Sequence, residues 1–219
     1  MPFFAIGQTP IDSLKSALGN EHLPEKKAAL SQLLFNQYKG SEYDSALAYA
    51  TLTHSYARAA NDTTAMANGM IGIATMQLQL GENALAIEQL ETTIAFIQPR
   101  GNSLQLGRCH ANLGGATSRA GNLDAALQHY KDAQQVFQAI NDSASYYSIF
   151  SELAANCRAT GKVAESIEYF KQGLAYFEQT ENAYEMIFLY NGLGDAYTNS
   201  MKAHLGTEFM QKALAMAID

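Results

Sequence analysis

The chain has 219 residues, a formal net charge of −7 and 47% hydrophobic residues, with 4 prolines and no tryptophan. That length bounds it to one or two ordinary globular domains, with ample apolar content for a core. No basic stripe is present, which argues against nucleic-acid binding. No apolar run approaches the roughly 20 residues that span a bilayer, so this segment does not insert directly into a membrane.

The chain opens with Met1 to Gln8, MPFFAIGQ. Ala5 and Gly7 give this stretch the small-residue look of a secretory cleavage site. The charged start and most of the apolar centre of such a leader are missing. Two readings stand together. One is the tail of an export leader, which makes the protein periplasmic. The other is an apolar arm packing on the first helices, which leaves it cytoplasmic.

Thr9 or Pro10 opens a short helix, PIDSLKSAL, stopped by Gly19-Asn20. It is expected to cap the end of the array that follows, since stacked repeats need covering elements at their ends. Pro24 then begins a helix to about residue 39, with proline in its first turn. A second helix is expected over about 42 to 60. From there the chain repeats itself. GENALAIEQL begins at Gly81, GNLDAALQHY at Gly121 and GKVAESIEYF at Gly161, at intervals of 40 residues. Weaker copies begin at Ser41 and Met201. The stretch from Gly107 to Ile140 shows the whole unit: a helix carrying Leu113-Gly114, a turn at Gly121-Asn122, and a helix carrying Ala126, Tyr130 and Ala133. A fixed period in this range marks a stacked helical array.

Between repeats stand Asn61-Asp62-Thr63 and Asn141-Asp142-Ser143. Each has the form of a glycosylation sequon, but helix N-capping explains both better, because such side chains accept from the first-turn N–H groups. Pro99-Arg100-Gly101 is expected to end the second repeat. The last helix is expected from about Ala203 to Ile218. It is apolar on most sides, with Phe209, Met210, Leu214, Met216 and Ile218. Either a further helix or a partner chain would cover it, which raises a homodimer through the C-terminal helix.

The two cysteines, Cys109 and Cys157, fall at offset places in their first helices, about 12 Å apart along the rise. A disulfide needs Cα atoms within about 7 Å, so both read as buried small apolar residues with no Lys or His beside them. No catalytic constellation is legible. The histidines are scattered without the i, i+4 spacing of a helical zinc motif. The glycines of Leu113-Gly114-Gly115 and Gly192-Leu193-Gly194 lie inside helices with no strand before them, so a phosphate-loop reading fails. No cofactor, metal or catalytic residue is assigned.

The unit resembles the tetratricopeptide repeat (TPR), carried by Leu113, Gly114, Gly121, Ala126, Tyr130 and Ala133. The fourth copy keeps Leu153, Gly161 and Phe170, but has Ala154, Ser166 and Gly173 elsewhere. The last keeps Leu193, Gly194, Tyr197 and Ala213, but has Met201 at the turn. The second is looser, with Ile73, Ala74, Gly81, Ala86 and Leu90. The common repeat has about 34 residues, so these helices should be longer by most of a turn each. The resemblance implies an all-α fold, a right-handed α–α superhelix. It would run over residues 10–219 as one TPR domain behind an arm or leader remnant at 1–9. The repeats would be near 24–61, 62–101, 102–141, 142–181 and 182–219.

It also implies a groove lined by one face of each first helix. By register that face holds Ser31, Phe35, Tyr38 and Lys39, then Asn68, Ile71, Thr75, Leu78 and Gln79. Next come Arg108, Ala111, Gly115, Ser118 and Arg119, then Ser148, Ser151, Ala155 and Arg158. Phe188, Asn191, Asp195, Thr198 and Asn199 complete it. A peptide or protein segment is the implied ligand. The binding candidates are Tyr38, Thr75, Gln79, Arg108, Ala111, Gly115, Arg119, Ser151, Ala155, Arg158, Asn191 and Asp195. The family's carboxylate clamp for chaperone tails is absent, because its positions hold Ser31, Phe35, Ile71, Thr75, Ala111 and Gly115. Arg108, Arg119 and Arg158 suit bidentate recognition of a carboxylate; alternatively they pair with neighbouring glutamates such as Glu152.

The leader-like stub, the DSLKSAL…PEKKAALSQLL opening and the long repeats together resemble the N-terminal sensor regions of bacterial histidine kinases. That resemblance implies a non-enzymatic input region of a larger signalling protein. A stand-alone cytoplasmic adaptor and a peptide-responsive transcription regulator are the alternatives. An enzyme is the weakest candidate.

Overall fold

The computed structural model describes residues 10–101 and 103–218. The stretch Met1–Gln8, on which the leader and arm readings rest, lies outside them. Among the described residues the chain is all-helical. The helices are α1 (Pro10–Asn20), α2 (Pro24–Tyr38), α3 (Tyr43–Ala59), α4 (Thr63–Gln79), α5 (Asn83–Ile97), α6 (Ser103–Arg119), α7 (Leu123–Ala139), α8 (Ser143–Ala159), α9 (Val163–Gln179), α10 (Ala183–Asn199) and α11 (Ala203–Ile218). A 3₁₀ turn over Gln98–Arg100 follows α5, where Pro99 cannot continue the helix.

Most helices have 17 residues, which accounts for the long repeat. Three residues link each to the next, and they do three jobs. The first ends one helix. The second takes a left-handed backbone, at Asn61, Gly81, Gly121, Asn141, Gly161, Glu181 and Met201, as does Gly101 after the 3₁₀ turn. The third starts the next helix. Its N–H reaches back five residues, as in Asp62 to the Ala57 carbonyl at 2.9 Å and Asp142 to the Phe137 carbonyl at 2.9 Å. Its side chain also caps forward: Asp62 Oδ1 accepts from Ala65 N at 2.9 Å and Asp142 Oδ1 from Ser145 N at 3.1 Å. Asn122 and Asn182 cap in the same way. The capping reading of the two Asn-Asp-Thr/Ser stretches therefore holds, with the aspartate as the capping residue and the asparagine supplying the turn.

The chain divides into two compact units, one up to Ala116 and one from Thr117. In the first, Ile11, Leu14 and Leu18 of α1 pack against Leu34, Phe35 and Tyr38 of α2, the capping role expected of α1. A second cluster joins Ala67, Ile71 and Ala74 to Leu90, Ile97, Cys109 and Leu113. In the second unit Phe170, Leu174 and Phe177 of α9 meet Leu189, Tyr190, Leu193 and Tyr197 of α10. Tyr147 stacks on Tyr176 at 4.2 Å between ring centroids.

One position decides how closely the paired helices approach. Ala46, Ala86, Ala126 and Ser166 recur at the 40-residue interval and are fully buried. Gly206 takes the same place in α11. A Cβ there would sit 2.7 Å from the Gly194 carbonyl oxygen, so α10 and α11 touch backbone to backbone. Ser166 departs from the pattern: its buried Oγ has no hydrogen-bond partner.

Both cysteines are free and buried. Burial pushes the Cys109 thiol up to about 12. Cys157 departs from the expectation that no lysine lies beside it. Lys162 and Lys131 act on it, but burial and Glu165 outweigh them and raise its pKa. The Cys157 thiol donates to Glu165 Oε2 at 3.8 Å. On α11, Phe209 and Met216 pack into the core while Met210, Leu214 and Ile218 stay exposed.

A side chain in the left-handed region costs about 1–2 kcal/mol that glycine avoids. Met201→Gly and Glu181→Gly should each raise the melting temperature by about 2–4 °C for a chain of this size. Ser166→Ala should raise it too, by removing a buried hydroxyl that makes no hydrogen bond. Thermal unfolding followed by circular dichroism checks all three.

Candidate functional site

The first helices of the repeats are α2, α4 and α6 as far as Ala116 in one unit, and the end of α6 with α8 and α10 in the other. Their faces turned from the second helices form a wall in each unit. Side chains on neighbouring first helices meet across a separation of 37 residues, three short of the repeat. In the first unit Gln105 Nε2 donates to Asn68 Oδ1 at 3.5 Å, and Asn112 Nδ2 donates to Thr75 Oγ1 at 3.3 Å. The Thr75 hydroxyl itself donates to the Ile71 carbonyl at 2.8 Å. In the second unit Arg158 pairs with Asp195 at 2.8 Å. Each pair is two residues that the helical pitch carries to the same level.

The expected wall of the first repeat is corrected. Ser31, Phe35 and Tyr38 are buried at 0%, 7% and 6% exposure. Tyr38 stacks on Tyr49, and Lys15 of α1 lies over its ring. The cause is α1, whose apolar side packs on α2. Tyr38 is therefore a core residue. Ile71 and Leu78, also expected on the wall, are buried as well. Gln79 and Arg108 are exposed, while Ala111 and Gly115 are half-buried.

In the second unit Arg119, Asn191 and Asp195 are exposed, and Ser151, Ala155 and Arg158 are half-buried. The Ser151 hydroxyl donates to the Ser148 carbonyl at 2.8 Å, so it is held within its own helix. Arg158 already holds a carboxylate of its own chain. Arg119 lies near the Tyr130 phenol, whose pKa burial raises, with Glu152 adding to that and Arg119 opposing it. Tyr130 donates to Glu152 Oε2 at 3.3 Å. The arginines thus do not make one set within a unit: Arg108 belongs to the first, Arg119 and Arg158 to the second.

Four residues that sequence reasoning left out of the candidates complete these walls: Gln105 and Asn112 in the first unit, Tyr184 and Glu185 in the second. Glu152 was weighed only as a partner for arginine. The signal that finds Gln105 and Asn112 is the 37-residue spacing, which places Gln105 beside Asn68 and Asn112 beside Thr75. On α10, Tyr184, Phe188, Asn191 and Asp195 form one exposed stripe. The Tyr184 and Phe188 rings meet edge to face at 5.0 Å, yet they remain 69% and 55% exposed. Glu185 stands beside them, its pKa raised by burial and by the charge of Glu152.

The family model described as the SusR N-terminal TPR domain matches residues 5–98, and a tetratricopeptide-repeat model matches 62–139. The chain carries a domain of the tetratricopeptide-repeat family. No curated protein sequence matches it significantly. Among solved structures, BtubC (BKLC) from P. vanneervenii aligns over 96% of this chain and 92% of its own, at TM-score 0.76 and 14% identity. A Rap protein complexed with competence and sporulation factor aligns over 94% of this chain and 69% of its own, at TM-score 0.74 and 13% identity. A signal-transduction ATPase with numerous domains and a tetratricopeptide-repeat sensor, from Pyrococcus horikoshii, aligns over 93% of this chain and 35% of its own, at TM-score 0.65 and 15% identity. At these identities the likeness is one of TPR fold. No helix among the described residues is long and apolar enough to cross a membrane.

The sign of the Glu185 effect is set by its raised pKa. The folded chain holds that proton more tightly than the unfolded chain, so ionising Glu185 costs stability. The cost is absent below its ordinary value of 4.5 and grows as pH rises through the folded-state pKa. Glu185→Gln should therefore raise the melting temperature at pH 7 by roughly 1–2 °C, discounted for partial solvent screening. The gain should vanish near pH 4. Paired melts of both proteins across pH 4–8 measure it.

Proposed function

We propose that this TPR domain binds a peptide or extended protein segment without catalysing a reaction, using its first-helix walls. The observation that carries the reading is the α10 stripe, where two large aromatic side chains stay open beside polar groups on a well-packed helix. Exposed aromatic residues on a rigid element are the usual anchors of a binding surface. The Rap protein's complex with competence and sporulation factor supports the reading by analogy of fold.

The domain acts as the sensor or input region of a larger signalling protein, such as a histidine kinase. A family model named for an N-terminal TPR domain and a neighbour whose repeats are called a sensor support this role. A stand-alone scaffold is the second reading, favoured by the near-complete alignment with BtubC. In that case the exposed Met210, Leu214 and Ile218 of α11 would serve an assembly contact.

The chain lacks tryptophan, so Phe188→Trp gives a single fluorescent reporter on the wall. Peptides selected by phage display on the wild-type chain should shift that emission. They should lose affinity by roughly tenfold or more on Phe188→Ala with Asn191→Ala, the scale of a hot-spot anchor. Selected peptides that bind the double variant unchanged would remove the α10 wall from the function.

A further inference from the structure

The junction between α7 and α8, within the second unit, holds an open cavity of about 260 Å³. That lies just below the roughly 300–1,000 Å³ of pockets for drug-sized ligands, so it suits a small head group. Phe137, Tyr146 and Tyr147 give it an aromatic lining, and Asp142 joins amide and hydroxyl side chains in the polar lining. The repeat does not account for the two tyrosines. At intervals of 40 residues their places hold Met66 and Ala67, Leu106 and Gly107, and Met186 and Ile187.

The rings are held in place by their neighbours. Tyr147 stacks on Tyr176 of α9 at 4.2 Å between centroids. Tyr146 meets Tyr147 and Phe150 edgewise, at 5.1 and 5.5 Å, and lies flat on neither. Both tyrosines remain half-buried. Aromatic faces attract cations as well as alkyl groups.

Charge points the same way. Among the described residues that line the cavity, Asp142 is the one charged side chain. Its Oδ1 caps α8 by accepting from Ser145 N at 3.1 Å. A carboxylate accepts several hydrogen bonds, so its other oxygen can still serve a ligand. Capping does not need the charge, since Asn122 and Asn182 cap α7 and α10 with neutral amides. An anion in the cavity would meet this carboxylate. A wholly apolar ligand would take water from it, and from the amides of Gln138 and Asn141, without replacing the hydrogen bonds.

We infer that this cavity binds a small organic ammonium group, with Tyr146 and Tyr147 against its alkyl substituents and Asp142 supplying the counter-charge. The site shares no residue with the α10 stripe, so it stands or falls apart from the peptide-binding reading.

The test titrates the full chain with three probes. Choline is a free cation. The alcohol 3,3-dimethylbutan-1-ol has choline's shape without its charge. Acetyl-lysine methylamide represents the side chain of a protein segment. Binding is read from the backbone amide shifts of residues 141–147 in NMR spectra, with sodium chloride at equal ionic strength as the control. Choline should bind about fivefold or more tighter than the alcohol, the scale of a cation–π contact beside a partly exposed ion pair. That preference should be lost in Asp142→Asn, which keeps the cap. Tyr146→Leu should weaken choline by about fivefold or more. Choline binding alone assigns the site to a free cation, and equal binding of the lysine amide assigns it to a protein side chain; either supports the inference. Choline and the alcohol binding alike, a preference unchanged in Asp142→Asn, or no shift with any probe overturns it. Melting curves of both variants separate a folding defect from lost binding.

Discussion

Close helix contact at one repeated position governs this protein. Where Ala46, Ala86, Ala126, Ser166 and Gly206 stand, the second helix of each repeat has almost no side chain. The helices can then approach until larger residues around the contact interlock, and dispersion and burial act over the whole interface. At Gly206 the approach reaches the backbone itself, beside Gly194. A bulky residue at this place would separate the helices and open the core on both sides.

The linkers serve that contact. Left-handed residues recur every 20 positions from Asn61 to Met201, and all but Gly101, which follows the 3₁₀ turn, let one helix end and the next begin within three residues. The bond back to the preceding helix and the cap on the next share a single residue at Asp62 and Asp142. Such short links leave little freedom in how paired helices cross, so the spacing of first helices is regular within a unit. The 37-residue side-chain ladder follows from that regularity. It carries hydrogen bonds in the first unit and an ion pair in the second. Structure, not a dedicated motif, thus places the groups that a ligand would meet.

Much of the fold is legible in the sequence because its cause is local and repeated. Gly81, Gly121 and Gly161 mark turns that need a left-handed backbone. Ala and aromatic positions on the second helices mark the buried stripe. The last helix is read correctly from Ala203 to Ile218. Met201 and Glu181 show why a missing glycine does not erase the repeat: the surrounding hydrogen bonds hold an unfavourable backbone in place. The wall was less legible. The repeat pattern puts Tyr38 on an open face, but α1 lies outside the repeat and packs on α2. Arg158 looks available for a ligand until Asp195, far away in the chain, is brought against it.

By itself the sequence determined the helix–turn–helix unit, its 40-residue length, the capping residues and the small-residue contact. These depend on residues near one another in the chain, or on a period that repeats them. Only the tertiary structure decided which wall residues are open and which charges are already satisfied. Burial and charge pairing arise between helices, through separations that no single stretch of sequence contains.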